Sequence, residues 1–160
     1  MTGPKFKEVG IVDVTFGNNV TVVQPANLYG CAVGDDVFVG PFVEIQKGVT
    51  IGARTRVQSH SFICELVTIG EDCFVGHGVM FTNDLFAKGG PARGDKTLWK
   101  STMIGNRVSI GSNVVILPVT ICDDVVIGAG AVVTVAIDKP GIYVGVPAKF
   151  LKGFDSGISD

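Results

Sequence analysis

The sequence predicts an all-β fold, a parallel β-helix of six-residue repeats, on three observations. From Val33 onward every sixth residue is large and apolar: Val33, Val39, Ile45, Ile51, Val57, Ile63, Ile69, Val75 and Phe81. The residue four further on is small or β-branched, as at Val37, Val43, Val49, Thr55, Ser61, Val67, Cys73 and Val79. Glycine often follows the apolar anchor, at Gly34, Gly40, Gly52, Gly70 and Gly76. A period of six fits neither a single amphipathic helix nor a heptad. Each unit supplies one short strand, whose anchor and the residue two before it face one side, and one corner where glycine tolerates conformations other residues resist. Three units make a turn of the coil, and stacking pairs each strand with the one eighteen residues later.

Taken in order, residues 1–32 keep the repeat loosely. Val9 and Gly10 fit the register, whereas Thr15, Thr21 and Asn27 occupy the next anchor slots, as in irregular turns that cap an open end. Residues 33–82 form regular coils. The pattern then stops over residues 83–102, where Gly89, Gly90, Pro91 and Gly94 replace anchors, and it resumes at Ile104-Gly105 and Ile110-Gly111. If Ile104 continues directly from Phe81, about seventeen residues bulge outward as an external loop, and long loops in compact domains are usually functional. Residues 103–138 are the C-terminal coils. One corner there loses a residue at Pro118, because Ile121 follows Ile116 by five, and Ile127 and Val133 recover the step of six. Residues 139–160 form an extension with Pro140, Gly141 and Pro147, expected to run extended and then as a short helix over 148–153 with a frayed end.

The apolar fraction, 46% of 160 residues, is ample for one domain with its own core. No uninterrupted apolar run approaches the ~18 residues of a membrane span. The opening segment MTGPKFKEVG lacks an apolar signal core, so a cytoplasmic protein is expected. A net charge of −2 argues against wholesale nucleic-acid binding. Cys31, Cys64, Cys73 and Cys122 contain no C-x-x-C pair. Cys31 and Cys73 fall in the small inward slot, which reads as buried thiols rather than disulfides or metal ligands.

The residue before each anchor points outward. These residues sort by side into Phe38, Arg56 and Phe74; Glu44, Phe62 and Met80; and Thr50 and Thr68 until Phe86. Two sides with large apolar groups fit a prism buried against neighbours around a threefold axis; scattered surface apolar groups on a monomer are the competing reading. Residues eighteen apart lie about 4.8 Å from one another, so Lys47, Glu65 and Asn83 form one polar column and Pro41, Ser59 and His77 another, with His60 one residue off. Lys88, Arg93, Lys96, Lys100 and Arg107 are opposed only by Asp95, an excess suited to a phosphate-bearing ligand or simply to a soluble loop. Trp99 offers a surface for stacking on a base or for pinning the loop.

The spaced units, the segment GHGVMFTND, the later IGSNVVILPVTICDDVVIGAGAVVT and the ending YVGVPAK resemble the hexapeptide-repeat acyltransferases, above all the branch that N-acetylates amino groups on nucleotide-linked sugars. The resemblance covers about residues 33–149. It implies a left-handed coil, an exception to the usual right-handed crossover. It also implies a homotrimer with active sites between subunits, acetyl-CoA as donor and no metal. Asn83 and Asp84 in FTND match that branch's sugar-holding motif, and Glu65 in SFICE sits where a partner is expected. An amine attacking a thioester must be neutral, its proton needs an acceptor and the oxyanion needs donors. His77 is a candidate base or orienter; its alternative is a corner histidine bonded to the next turn or lying in a subunit contact. His60 reads as structural or as a subunit contact rather than a base, and Glu65 has a plain alternative as a ladder partner of Lys47.

Coenzyme A is implied to run along the C-terminal turns, where Gly105, Gly111, Ser112, Gly128, Ala129 and Gly130 leave backbone accessible, although corners favour glycine anyway. Lys149 in VPAK matches a region near the cofactor's nucleotide end, its alternative being a merely solvated basic terminus. The expected function is acetyl-CoA-dependent N-acetylation of the 3-amino group of a nucleotide-linked dideoxy amino sugar for surface glycan synthesis. O-acetylation of a small hydroxylated acceptor and a non-catalytic scaffold are the alternatives. Zinc-dependent hydratases built on such a coil need three histidine ligands, and only His60 and His77 exist.

Overall fold

The described residues contain twenty-one strands, none longer than four residues, wound into a parallel β-helix of about seven turns. This computed structural model describes residues 3–6 and 8–154; the last six residues of the C-terminal extension, with its expected frayed end, lie outside the described residues. Three sheets form the walls. Sheet A has seven strands, from Ile11–Val12 to Val132–Val133; sheet B has six, from Thr15–Phe16 to Thr120–Ile121; sheet C has eight, from Thr21–Val22 to the closing strands Gly141–Val144 and Lys149–Lys152. The chain visits A, B and C in turn, so each wall pairs a strand with the one a full turn away. Among the described residues no helix is long and apolar enough to cross a membrane.

The register follows the repeat. Phe38 pairs with Arg56 and Arg56 with Phe74 on sheet C, and Glu44 pairs with Phe62 and Phe62 with Met80 on sheet A. Across the interruption, Val67 pairs with Thr102 and Phe81 with Ile116, thirty-five residues apart, so seventeen residues are inserted. Met103 then pairs with Thr120, seventeen apart, where the corner at Pro118 is one residue short. Below Thr68 the outward place on sheet B is held by Met103 rather than Phe86, which lies in the loop.

The anchors form the core: Ile45, Ile51, Ile63, Ile69, Phe81, Ile110 and Ile116 are fully buried. Polar residues in the small inward slot are satisfied within the coil. Thr55 Oγ1 donates to Gly70 O at 2.9 Å and Ser61 Oγ to Gly76 O at 2.8 Å, while the amides of Cys73 and Val79 donate back to these hydroxyls. All four cysteines are free, and Cys31, Cys64 and Cys73 are buried.

Three expectations are corrected. The repeat extends back into the first thirty-two residues, but Thr15, Thr21 and Asn27 are not its anchors. Phe16, Val22 and Leu28 are, pairing with Val33, Val39 and Ile45. The step from Leu28 to Val33 is five residues, taken at Gly30 with φ +58°, and it puts Leu28 inside where the amide of Asn27 would have been buried. The glycines after the anchors answer close approach rather than left-handed backbone: a Cβ on Gly40 would lie 2.8 Å from Ser59 N, and one on Gly76 2.7 Å from Ile110 O. The left-handed corner positions carry Asp36, Phe42, Arg54, His60, Asp72 and Arg107. Finally, residues 149–152 are a strand, not a helix. Gly145 at φ +95° turns the chain back so that Lys149–Lys152 pairs antiparallel with Gly141–Val144, and the Phe150 ring meets Tyr143 edge-on at 5.5 Å.

The edge between sheets B and C is an ionic ladder. Arg54 bridges Asp72 at 2.7 Å and Glu71 at 2.6 Å, and Arg107 bridges Asp124 at 2.7 Å and Asp123 at 3.2 Å. Arg107 therefore belongs to this ladder rather than to the cationic loop. Arg54 holds the Asp72 carboxyl below the usual aspartate range and Arg107 does the same to Asp124, while the Asn106 amide is the main cause at Asp123.

Gly76→Ala should cost about 1–3 kcal/mol in chemical denaturation, because its methyl meets backbone that has no rotamer to yield. The ladder predicts a pH dependence. A carboxylate with a lowered folded pKa stabilises above its unfolded value, about 3.9, and loses that contribution as pH falls through the folded one. Arg107→Met should therefore lower Tm at pH 7, and the gap to the parent should close as melts are taken down to pH 2.

Candidate functional site

The insertion leaves the coil where sheet A meets sheet B, and Asn83 is its first fixed point. Asn83 Nδ2 donates to the Glu65 carbonyl one turn above at 3.1 Å, and its own carbonyl accepts from Lys100 N at 2.8 Å, so the loop closes on the residue that opens it. Asp84 organises the loop: one carboxylate oxygen accepts from Phe86 N at 2.9 Å and the other from Ala92 N at 2.7 Å. A short 3₁₀ turn, Lys96–Leu98, capped by Asp95, then delivers Lys96 to the wall. Lys96 Nζ lies 2.5 Å from Glu65 Oε2 and 5.1 Å from the centre of the Trp99 ring. Glu65 thus takes its cation from the loop, not from Lys47 in its own column.

Beside these groups is a cavity of about 370 Å³ lined by Gln46, Phe62, Cys64, Phe81, Thr82, Asn83, Asp84, Phe86 and Trp99. Its upper wall continues as a polar strip. Gln46 Oε1 accepts from Glu65 N at 3.2 Å, Gln46 Nε2 donates to Glu44 Oε1 at 2.9 Å, and Tyr29 Oη lies 3.5 Å from the same oxygen. Burial, and then the charges of Glu44 and Glu65, push the Tyr29 hydroxyl up from its ordinary value. Burial also pushes the Cys64 thiol up to about 11, so it is a neutral wall group rather than a nucleophile. The aromatic rings, the amides of Gln46 and Asn83 and the carboxylate at the rim can hold a hydroxylated, amine-bearing ring with one apolar face.

The other candidates lie elsewhere. His77, Gly111, Ser112, Gly128, Ala129 and Gly130 stack along the edge between sheets C and A, where Asn113 N donates to His77 O and Gly130 N to Ser112 O. Lys149 lies at the end of that edge; its cross-strand partner Val144 has a methyl 2.8 Å from where a Cβ on Gly128 would lie. Gly105 lies apart, on the ionic B/C edge beside Asp123. His77 is exposed, with Nδ1 2.9 Å from Ser59 Oγ, and His60 stacks on Phe42 at 4.9 Å. Within one chain His77 and Asn83 stand at opposite ends of the segment containing Met80–Phe81, a span of up to ~20 Å. The structure joins Glu65, Asn83 and Asp84 and leaves His77 one wall away.

Gln46 and Tyr29 escape a reading that tracks anchors and the residues before them, and Glu44, which precedes the anchor Ile45, is found by it only as an outward wall residue. Gln46 directly follows the anchor Ile45, in the outward column continued by Cys64 and Thr82, so the same eighteen-residue spacing locates it.

Residues 30–65 match the family described as bacterial transferase hexapeptide (six repeats), and residues 101–135 match the hexapeptide repeat of succinyl-transferase. The putative lipopolysaccharide biosynthesis O-acetyl transferase WbbJ of Escherichia coli K12 is 33% identical over 151 residues, 89% of this chain and 72% of that protein. This chain belongs to the hexapeptide-repeat transferases. Among solved structures, galactoside acetyltransferase in complex with coenzyme A is 31% identical with a TM-score of 0.65, over 76% of this chain and 64% of that one. A mutant of perosamine N-acetyltransferase from Caulobacter crescentus, in complex with CoA and GDP-perosamine, has the same fold at 21% identity, with a TM-score of 0.65 over 84% of this chain and 54% of that one. The transferase chain spans only 26% and 27% of the length of two further curated relatives, each 31% identical to it.

Asp84→Ala removes the acceptor of two loop amides, while the coil ladder on either side stays intact. Limited proteolysis should then cut residues 86–95 faster by about tenfold or more, as one to two kcal/mol of local restraint implies, with the Tm of the coil shifted little.

Proposed function

We propose that this hexapeptide-repeat transferase is an acetyltransferase that carries the acetyl group of acetyl-CoA to the amino group, specifically the 3-amino group, of a nucleotide-linked dideoxy amino sugar. The observation that carries the reading is the stacking of Glu65 and Asn83 at the foot of the seventeen-residue insertion, beside an aromatic-walled cavity, with the carboxylate already engaging an ammonium. The donor is supported by the galactoside acetyltransferase structure with coenzyme A, and the nucleotide-sugar class by the perosamine N-acetyltransferase structure with CoA and GDP-perosamine.

In this reading Asn83, Glu65 and Asp84, the last through the loop it folds, orient the amino sugar. The neutral amine attacks the thioester carbonyl, a C–N bond forms, the C–S bond breaks, and the amine's proton ends on the coenzyme A thiol. His77 is the candidate relay: with Nδ1–H donating to Ser59, Nε2 offers a lone pair to the attacking nitrogen. Coenzyme A lies along the C/A edge, against Gly111, Ser112, Gly128, Ala129 and Gly130, with Lys149 near its phosphates and Gly105 outside this path. Because His77 and Asn83 stand a wall apart, the complete site takes one edge from each of two copies in a homotrimer. Phe62 and Met80 on sheet A and Phe74 on sheet C are the outward apolar groups that such an assembly covers. The enzyme works in the cytoplasm, in surface polysaccharide synthesis such as that of lipopolysaccharide O-antigen.

O-acetylation is the second reading. The Escherichia coli relative matched over most of both chains is named an O-acetyl transferase, and His77 serves a hydroxyl as readily as an amine. A panel of dTDP- and UDP-linked amino sugars and their hydroxyl analogues, incubated with acetyl-CoA, decides by product analysis; amide product from the amino sugars is expected, and ester product alone replaces the first reading with the second. Asn83→Ala should lower kcat/KM by about tenfold or more, the scale of one lost hydrogen bond to substrate; unchanged turnover removes it from the site. His77→Ala should lower kcat by about a hundredfold with acetyl-CoA affinity retained if it relays the proton, whereas near-normal kcat makes it a corner residue.

A further inference from the structure

Lys96 is the one loop cation that reaches the wall. Lys88, Arg93 and Lys100 make no ion pair among the described residues, and Arg107 is held on another edge. The Lys96 side chain is 58% exposed while that of Glu65 is 20% exposed, so a solvated ammonium sits on a half-sunken carboxylate. The pair adjoins the cavity. Trp99, under the Lys96 ammonium, is one of the cavity walls, and Cys64 and Asn83, which flank and bond Glu65, are two others. The loop does not depend on this pair for its path, because Asp84 fastens it to Phe86 and Ala92 and Lys100 closes it on Asn83. Ion pairs with an exposed partner contribute little net stability and exchange readily.

We propose that Lys96 holds the place of the acceptor's amino group: its ammonium occupies Glu65 in the empty enzyme and is displaced by the protonated primary amine of the incoming sugar, which then releases one proton past Glu65 to solvent so that the neutral amine attacks as above. The inference rests on the acetyl-transfer reading above and names what that site selects. A cationic acceptor replaces one ammonium by another at nearly constant charge. A neutral hydroxyl sugar cannot, since ejecting Lys96 would leave Glu65 partly buried and unpaired. Lys96 is thus a specificity-determining residue that discriminates amino from hydroxy acceptors, and its release frees a cation over the loop for the acidic part of the same ligand.

Trp99 is the chain's only tryptophan, so its emission reports the departure of Lys96 from its ring. The probes are a dTDP-linked 3-amino sugar and its 3-hydroxyl analogue, titrated in the full-length protein, with steady-state kinetics on acetyl-CoA alongside. The amino sugar should change Trp99 emission in the parent protein and the hydroxyl analogue should not; Lys96→Met should emit in the displaced manner before any sugar is added. Lys96→Met should also lower KM for the amine about two- to fivefold, the scale of one competing exposed ion pair, with the change in KM rather than kcat. Lys96→Arg, which keeps the cation, should behave like the parent. The proposal is overturned by equal emission responses to both sugars, by an unchanged or raised KM in Lys96→Met, or by Lys96→Arg behaving as Lys96→Met. If the parent acetylates the amine and these tests still fail, only the role of Lys96 falls; if it acetylates the hydroxyl analogue alone, the amine reading falls with it.

Discussion

Each amide of a wall strand bonds to a carbonyl one turn away, and that vertical ladder is the constraint on which everything else in this molecule depends. Phe38 N reaches Thr55 O at 3.1 Å, Gly40 N reaches Val57 O at 2.8 Å, and Gly76 N reaches Ile110 O at 2.8 Å. Strands of two or three residues have no stability of their own, since each fixes backbone torsions for very few bonds. They persist because the turn on either side supplies partners and a shared column of anchors. The ladder also dictates composition. An amide that must approach the next turn leaves no room for a Cβ at Gly40 or Gly76, and an inward hydroxyl at Thr55 or Ser61 is tolerated only because a carbonyl of the next corner stands ready to accept from it.

The ladder was legible in the sequence to the extent that anchors differ from their neighbours. From Val33 to Phe81 each anchor is followed by a glycine, a small residue or a polar one, so the register and the seventeen-residue insertion come from counting. Upstream of Val33 the contrast fails. Phe16 follows Thr15 and Val22 follows Thr21, either member of each pair can fill an anchor slot, and a corner of five residues at Gly30 decides for the second. At the other end, Pro140, Gly141 and Pro147 announce that the coil stops but do not specify the conformation of residues 148–153; the edge contact of Phe150 with Tyr143 and the turn at Gly145 favour a reversed strand over a helix. In the site, Glu65 and Asn83 were findable because both belong to the coil, where separation in sequence converts to distance. Lys96 was not, because the path of an irregular loop obeys no period, and neither charge nor spacing says which wall residue a loop lysine meets.

The three edges of the prism show how one repeat accommodates different tasks. On the B/C edge the left-handed corner positions carry Arg54, Asp72, Arg107 and Asp124, and their charges neutralise one another vertically, leaving little for a ligand. On the C/A edge the corresponding places carry Phe42, His60, Gly78, Asn113 and Gly130, with no vertical ion pairs among the described residues and in part no side chains, so backbone amides stand near the surface. The A/B edge is the one opened by the insertion. A corner position is a local choice that the core does not feel, since the anchors on either side stay buried whichever residue turns the chain. Function can therefore vary along the edges while the walls remain constant.

The insertion itself obeys the same logic. Loop closure costs entropy that grows only slowly with length, and the pairing of Val67 with Thr102 and Phe81 with Ile116 resumes at once on the far side, so the coil is not weakened by seventeen extra residues. Apart from Trp99 at the cavity wall, the loop is fastened by polar groups: two amides on Asp84, one amide on the Asn83 carbonyl, and the Lys96 ammonium on Glu65. Three of these four ties are hydrogen bonds within or at the root of the loop. The fourth joins the loop's 3₁₀ turn to the wall through an exposed charge that another cation can replace. A segment built this way shapes a pocket without contributing to the core, and the pocket can alter its occupant without disturbing the ladder that carries it.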